Sequence, residues 1–119
     1  MDRVNVCLVG TGWTASNHFA GYSAIPEKAR VIAVVAHSDA SAEKASGVWK
    51  VKKVYRSFAD ALKDGEVQAF DICTPHYHHA EMVVAALESG RHVLVETPAC
   101  TSPEECRVLR IALFEHPGL

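Results

Sequence analysis

The residues best suited to chemistry stand at the start of the chain. Val4-Asn5-Val6-Cys7-Leu8-Val9 is an apolar run of β type that breaks directly into Gly10-Thr11-Gly12-Trp13-Thr14-Ala15, a GxGxxA string at the head of a helical segment. This pattern suits a diphosphate. Gly10 permits a tight strand-to-helix turn, Gly12 lets the backbone approach a pyrophosphate, and Ala15 is small enough for the helix to pack closely on the strand. The phosphates then rest on free N–H groups at the positive end of the helix. A purely structural glycine turn can carry the same string, so other parts of the chain must decide.

After the second apolar run comes Ala36-His37-Ser38-Asp39, the place where an Asp or Glu ordinarily accepts hydrogen bonds from the adenosine ribose of NAD. Serine and histidine tolerate a 2′-phosphate better, which slightly favours NADP. Yet no arginine stands in this loop, and Asp39 can turn inward to serve NAD, so both cofactors stay open. Lys44, Lys50, Lys52 and Lys53 read as surface charges. His76, His78 and His79 crowd together, but no thiolate or carboxylate accompanies them at zinc-site spacing, and no metal is expected. Cys7, Cys73, Cys100 and Cys106 include no CxxC pair, and all four read as reduced packing residues.

Elements that position these residues alternate along the chain. Apolar runs at Val4 to Val9, Val31 to Ala36, Val54-Tyr55, Ala69 to Cys73 and His92 to Val95 are continuous rather than alternating in polarity, as strands covered on both faces require. Helical segments between them carry their own punctuation. Pro26 closes the first, Ser57 opens the third and Gly65 ends it, and Gly90 follows Ala80 to Ser89. Ser102-Pro103-Glu104-Glu105 supplies an N-cap, a first-turn proline and a capping-box glutamate for a last helix running to about His116. Five strands and five helices in alternation predict a single α/β domain, residues 1–119, with a doubly wound parallel sheet in the Rossmann-like order 3-2-1-4-5. A flavodoxin-like or receiver sheet would need an acidic cluster or a hydroxyl-rich loop after the first strand. In the predicted order the loops Gly10 to Ala15 and Thr74 to His79 open on one crevice.

The net charge of −2 comes without a block of like charge, which argues against nucleic acid or an anionic membrane surface as partner. The first apolar run is too short for a signal peptide and no stretch approaches a membrane span, so a cytoplasmic location is the expectation.

Two further segments, Thr74-Pro75-His76-Tyr77-His78-His79 and Ala86-Leu87-Glu88-Ser89-Gly90-Arg91-His92-Val93-Leu94-Val95-Glu96-Thr97-Pro98, carry a resemblance. With the glycine loop they resemble the amino-terminal domain of the Gfo/Idh/MocA oxidoreductase family, known by a TPxxxH segment, an ALxxGxHV approach to the fifth strand and an EKP signature. The resemblance spans nearly the whole chain. It implies that Gly10, Thr11, Gly12, Trp13 and Thr14 contact the pyrophosphate of NAD or NADP, His37 and Ser38 the adenosine ribose, and Thr74, Pro75 and His79 the middle of the dinucleotide. Glu96 would reach the nicotinamide ribose, and the peptide before Pro98 would be cis. Trp13 can lean over the crevice or pack between helix and sheet, and packing is the expectation.

Thr97 departs from the family pattern, which has the catalytic lysine at this position. A threonine hydroxyl carries no charge and titrates far outside the working range, so it replaces neither a general acid nor an ammonium. His76 or His79 could supply a proton, but His76 reads as an ordinary polar loop residue, and no catalytic residue is assigned. Family members continue into a substrate domain that is absent from these 119 residues, so no dehydrogenase activity is expected of this polypeptide alone. The open edge of the last strand predicts a homodimer. Two alternatives stay open: half of an oxidoreductase completed by a partner chain, and a nucleotide-free regulatory or interaction module.

Overall fold

The computed structural model describes residues 2–119. Each apolar run becomes a strand with helices packed against it: β1 (Val4–Val9), β2 (Ala29–Val35), β3 (Lys53–Tyr55), β4 (Ala69–Ile72) and β5 (His92–Val95). They pair in parallel in the order β3-β2-β1-β4-β5, the doubly wound order expected. β2 starts earlier than its apolar run because Ala29 and Arg30 pair with Val4 and Asn5. β4 stops at Ile72, one residue before Cys73.

The helices are α1 (Trp13–Ser23), α2 (Asp39–Glu43), α3 (Phe58–Ala61), α4 (His79–Glu88) and α5 (Pro103–Glu115). Ser38, Ser57 and Ser102 cap α2, α3 and α5, each side chain accepting from the amide three residues on. At α5 the capping box is displaced by one residue. Glu105 accepts from the Thr101 amide and hydroxyl, both at 2.6 Å, rather than from Ser102.

One sheet face buries Cys7, Val9, Ala33, Val35, Phe70 and Ile72 against Met82, Val83, Ala86 and Leu87 of α4 and Leu109 and Ala112 of α5. The other packs Leu8, Val34 and Ala36 against Ala15 of α1 and against Ala45 and Val51. Phe19 of α1 stacks on Trp49 with ring centroids 4.7 Å apart. Among the described residues no helix is long and apolar enough to cross a membrane.

One cysteine expectation is overturned. Cys100 and Cys106 form a disulfide, because the first turn of α5 carries Cys106 back to within 5.7 Å of Cys100 between Cα atoms. Cys7 is free and buried, and Cys73 is free and half-buried.

Two positions hold the site's scaffold together. Gly10 has φ of +109°, and a Cβ there would lie 3.0 Å from the Cys73 carbonyl oxygen. Arg91 donates to the carbonyls of Leu62 at 2.9 Å, Asp64 at 2.8 Å and Val67 at 3.2 Å, tying the α3–β4 connection to the entry of β5. Gly10→Ala is expected to lose about 2–4 kcal/mol of stability through backbone strain and the carbonyl contact. Gly12→Ala, in open space, costs about 1 kcal/mol or less. Arg91→Met strands these three carbonyls, and that of Ser89 with them, and costs about 2–3 kcal/mol. Urea denaturation measures all three as a lower midpoint at unchanged slope.

Candidate functional site

The crevice lies where β1 and β4 leave the sheet side by side. Their register pairs Val9 with Ile72, so the turn at Gly10 and the loop from Cys73 onward start from adjacent positions. The Gly10 amide donates to the Val35 carbonyl at 3.0 Å, which fixes the turn to β2 as well.

Gly12 is the N-cap of α1 and provides no side-chain cap, and no acidic residue stands in that helix's first turn. The other four helices differ: each has Asp or Glu in its first turn, and three have a serine cap. α1 alone among the five thus presents free amides with no carboxylate competing for them. Beyond Gly12 and its immediate chain neighbours, among the described residues no atom lies within 4 Å of the point where a Gly12 Cβ would stand.

Lys44, expected on the surface, enters this turn instead. Its Nζ donates to the Thr11 carbonyl at 2.6 Å and to Ser16 Oγ at 2.8 Å, and lies 5.1 Å from the Trp49 ring centre. Trp13 also departs from expectation, being 81% exposed rather than packed. Ala15 and Phe19, four residues apart, take the stripe of α1 that faces the sheet, and Trp13 falls off that stripe. Thr14 is half-buried beside it.

His37 and Ser38 lie exposed beyond β2, with Ser38 engaged in capping α2. β3 pairs Tyr55 with Val35, and this brings Arg56 to the same loop. The guanidinium donates to the His37 carbonyl at 2.7 Å and to Asp39 Oδ1 at 3.0 Å. The loop itself contains no arginine, but the space beside it does.

Thr74 and Pro75 begin the loop after β4, where the Thr74 hydroxyl donates to Met82 Sδ at 3.5 Å and Pro75 is exposed. His79 does not face the crevice. Its ring is 1% exposed, with the Thr74 carbonyl 2.8 Å from Nε2 and the Pro98 carbonyl 2.8 Å from Nδ1. The side chain joins the loops that follow β4 and β5 and has no ring nitrogen left for a ligand. The Thr97–Pro98 peptide is cis.

Beneath this crevice lies a polar cluster that sequence reasoning missed. Asp71, in β4, is 1% exposed. Its Oδ2 accepts from His18 Nδ1 and from the Tyr22 hydroxyl, both at 2.7 Å, and Cys73 Sγ lies 3.5 Å from Oδ1. The other His18 nitrogen, Nε2, lies 2.6 Å from Glu96 Oε1. Burial alone would lower the His18 pKa, but the hydrogen bonds and charges of Asp71 and Glu96 prevail and raise it above 6.5. Burial, reinforced by Asp71, pushes both the Tyr22 hydroxyl and the Cys73 thiol up, so both keep their protons and Cys73 is no nucleophile. The cluster had one sequence signal: an acid inside the apolar run Ala69-Phe70-Asp71-Ile72 must find partners.

A groove of about 390 Å³ between α4 and α5 is lined by Glu81, Glu88, Glu104 and Glu105 around an apolar floor. Its four carboxylates disfavour a diphosphate.

Comparison with known proteins agrees with this geometry. The sequence profile of the Gfo/Idh/MocA oxidoreductase family, NAD-binding Rossmann fold, matches residues 4–116. Levoglucosan dehydrogenase of Pseudarthrobacter phenanthrenivorans is 30% identical over 119 residues, covering 92% of this chain and 30% of that protein. Inositol 2-dehydrogenase 3 of Saccharopolyspora erythraea is 33% identical over 113 residues, covering 94% and 32%. Among solved structures, the WlbA dehydrogenase of Bordetella pertussis, in complex with NADH and UDP-GlcNAcA, superposes with a TM-score of 0.90 at 23% identity, covering 96% of this chain and 35% of that one. The chain spans about a third of the length of the curated relatives it matches. With strand order, glycine turn and profile in agreement, this chain belongs to the Gfo/Idh/MocA oxidoreductase family and comprises its NAD-binding Rossmann fold.

Proposed function

We propose that the first turn of α1 holds the pyrophosphate of a nicotinamide dinucleotide, NADP in preference to NAD, and that this chain is the cofactor-binding part of a sugar or polyol oxidoreductase. The uncapped, acid-free amino end of α1 carries this reading, since a diphosphate supplies what the other helices obtain from serine and acidic side chains. Gly10, Thr11, Gly12, Trp13 and Thr14 form the cradle. Lys44 adds a positive charge at Thr11. Thr74 and Pro75 line the facing loop, His37 and Ser38 flank the adenosine ribose, and Glu96 accepts from the nicotinamide ribose. His79 serves by fixing the loop rather than by touching the ligand.

Arg56 supports the preference for NADP. Its side chain is 51% exposed and pairs with Asp39, which is 98% exposed, and such a surface pair contributes about 0–1 kcal/mol. A 2′-phosphate, with more charge and oxygens matched to the guanidinium fork, competes well for it.

The bound nicotinamide supplies hydride transfer. Thr97, exposed at the position of the family's lysine, provides no charge to a substrate oxygen, and the proposal assigns no catalytic residue to this chain. The exposed β5 edge, with Leu94 53% exposed, supports pairing with a second copy or with a completing chain.

Calorimetric titration with NADPH is expected to give a dissociation constant below about 100 µM, roughly −5.5 kcal/mol, with quenching of Trp13 fluorescence. Gly12→Val fills the space meant for phosphate and weakens binding at least about tenfold, with a melting temperature lowered by about 5 °C or less. No heat with any of the four nicotinamide nucleotides at millimolar concentration overturns the reading. In a separate titration, Arg56→Ala lowers NADPH affinity about tenfold, ~1.4 kcal/mol, and leaves NADH affinity unchanged. Equal losses for both nucleotides would refute the role of Arg56.

A further inference from the structure

We propose that His18, clamped by the buried carboxylate of Asp71, is a positioning residue that holds Glu96 in the orientation in which it accepts from the ribose beside the nicotinamide. The inference rests on the dinucleotide reading above and adds to it the source of Glu96's orientation and its pH dependence.

Three observations carry it. The first is the chain of bonds: Tyr22 and His18, four residues apart on α1, both donate to Asp71 Oδ2, and the far nitrogen of His18 reaches Glu96 Oε1 at 2.6 Å. Secondly, among the described residues the Glu96 side chain makes no other hydrogen bond, and its neighbour Thr97 is exposed. His18 is therefore what aims this carboxylate. The third is the unequal burial of the two acids, with the Asp71 side chain 1% exposed and that of Glu96 36% exposed.

Proton counting converts this geometry into a pH response. An imidazolium donates to both carboxylates, whereas a neutral ring has one N–H. Asp71 has no access to water and keeps that proton on Nδ1, so the Nε2 lone pair turns toward Glu96 and repels it. Glu96 then swings into solvent. Tyr22 from α1 shares Asp71 Oδ2 with the ring, Cys73 Sγ lies 3.4 Å from Nδ1, and both stay protonated, leaving Asp71 and Glu96 as the charges bonded to it. Because the native His18 pKa is raised, the clamped state holds below that pKa and is lost as pH rises through it.

The test has two arms on the full chain. In the first, NMR titration of the histidine ring nitrogens without nucleotide is expected to show His18 protonated on both nitrogens at pH 6 and on Nδ1 alone at high pH. Its titration moves to lower pH in Glu96→Gln and in Asp71→Asn. In the second, NADH affinity is measured across pH 6–9. NADH is the probe because it lacks the 2′-phosphate of NADPH, which titrates near about 6. Affinity is expected to be flat below the His18 pKa and to fall about tenfold through it. In Glu96→Gln the side-chain amide can donate to a neutral Nε2, so the fall disappears, while any contribution from His37 persists and is thereby separated. A wild-type affinity that stays flat through the His18 titration overturns this proposal and leaves the dinucleotide reading standing. Likewise, a His18 titration unmoved by Glu96→Gln refutes the clamp. Absence of binding by all four nicotinamide nucleotides at every pH removes both readings at once.

Discussion

The close approach of Gly10 to the Cys73 carbonyl is the constraint on which the rest of the molecule depends. β1 and β4 leave the sheet as parallel neighbours, and their following loops can open on one crevice only if the first turns sharply across the end of the second. A side chain at Gly10 would meet backbone atoms at 3.0 Å, and the positive φ excludes most residues independently. From this one turn follow the direction of α1, the placement of its free amides over the crevice and the reach of His18 toward β4 and β5.

What the turn at Gly10 offers an anion is chiefly backbone. The chain has a net charge of −2, and its helices α2 to α5 all place an acid in the first turn. α1 departs from that rule. Its amino end carries neither a side-chain cap nor a first-turn acid, so the field there is positive within an acidic protein. Lys44 strengthens it from a distant segment, while also bonding the Thr11 carbonyl and so keeping the turn in shape.

Asp71 shows a different economy. An aspartate in a buried strand is costly unless its oxygens find donors, and here the second and third turns of α1 serve Oδ2 while the Cys73 thiol lies against Oδ1. Aliphatic packing at these positions would stabilise the domain at least as well. The polar arrangement instead connects the interior to the crevice, because the ring that satisfies Asp71 also reaches Glu96. Thr97 stands beside this carboxylate and carries no charge, while His18 reaches the same carboxylate from beneath.

Much of the architecture was legible without coordinates. Apolar runs marked β1 and β5 at their observed ends, Ser57 and Ser102 marked helix starts, and the alternation of elements implied the sheet order, because each of these signals is local. The glycine turn was legible for the same reason: adjacent residues determine its backbone. Side-chain destinations were not. Lys44 meets Thr11 across 33 residues, His18 meets Glu96 across 78, and Arg56 reaches the β2 loop only because β3 pairs with β2. Trp13 turned outward because Ala15 and Phe19 had already taken the buried stripe, and His79 turned inward because two loop carbonyls awaited its ring. Cys100 and Cys106 met through the first turn of α5 rather than through a spacing motif. Local sequence determined which segments form strands, turns and caps, since hydrophobic periodicity and φ preference act within a few residues. Tertiary structure decided which charged groups meet, since those energies depend on distance and burial that exist only once the sheet has assembled.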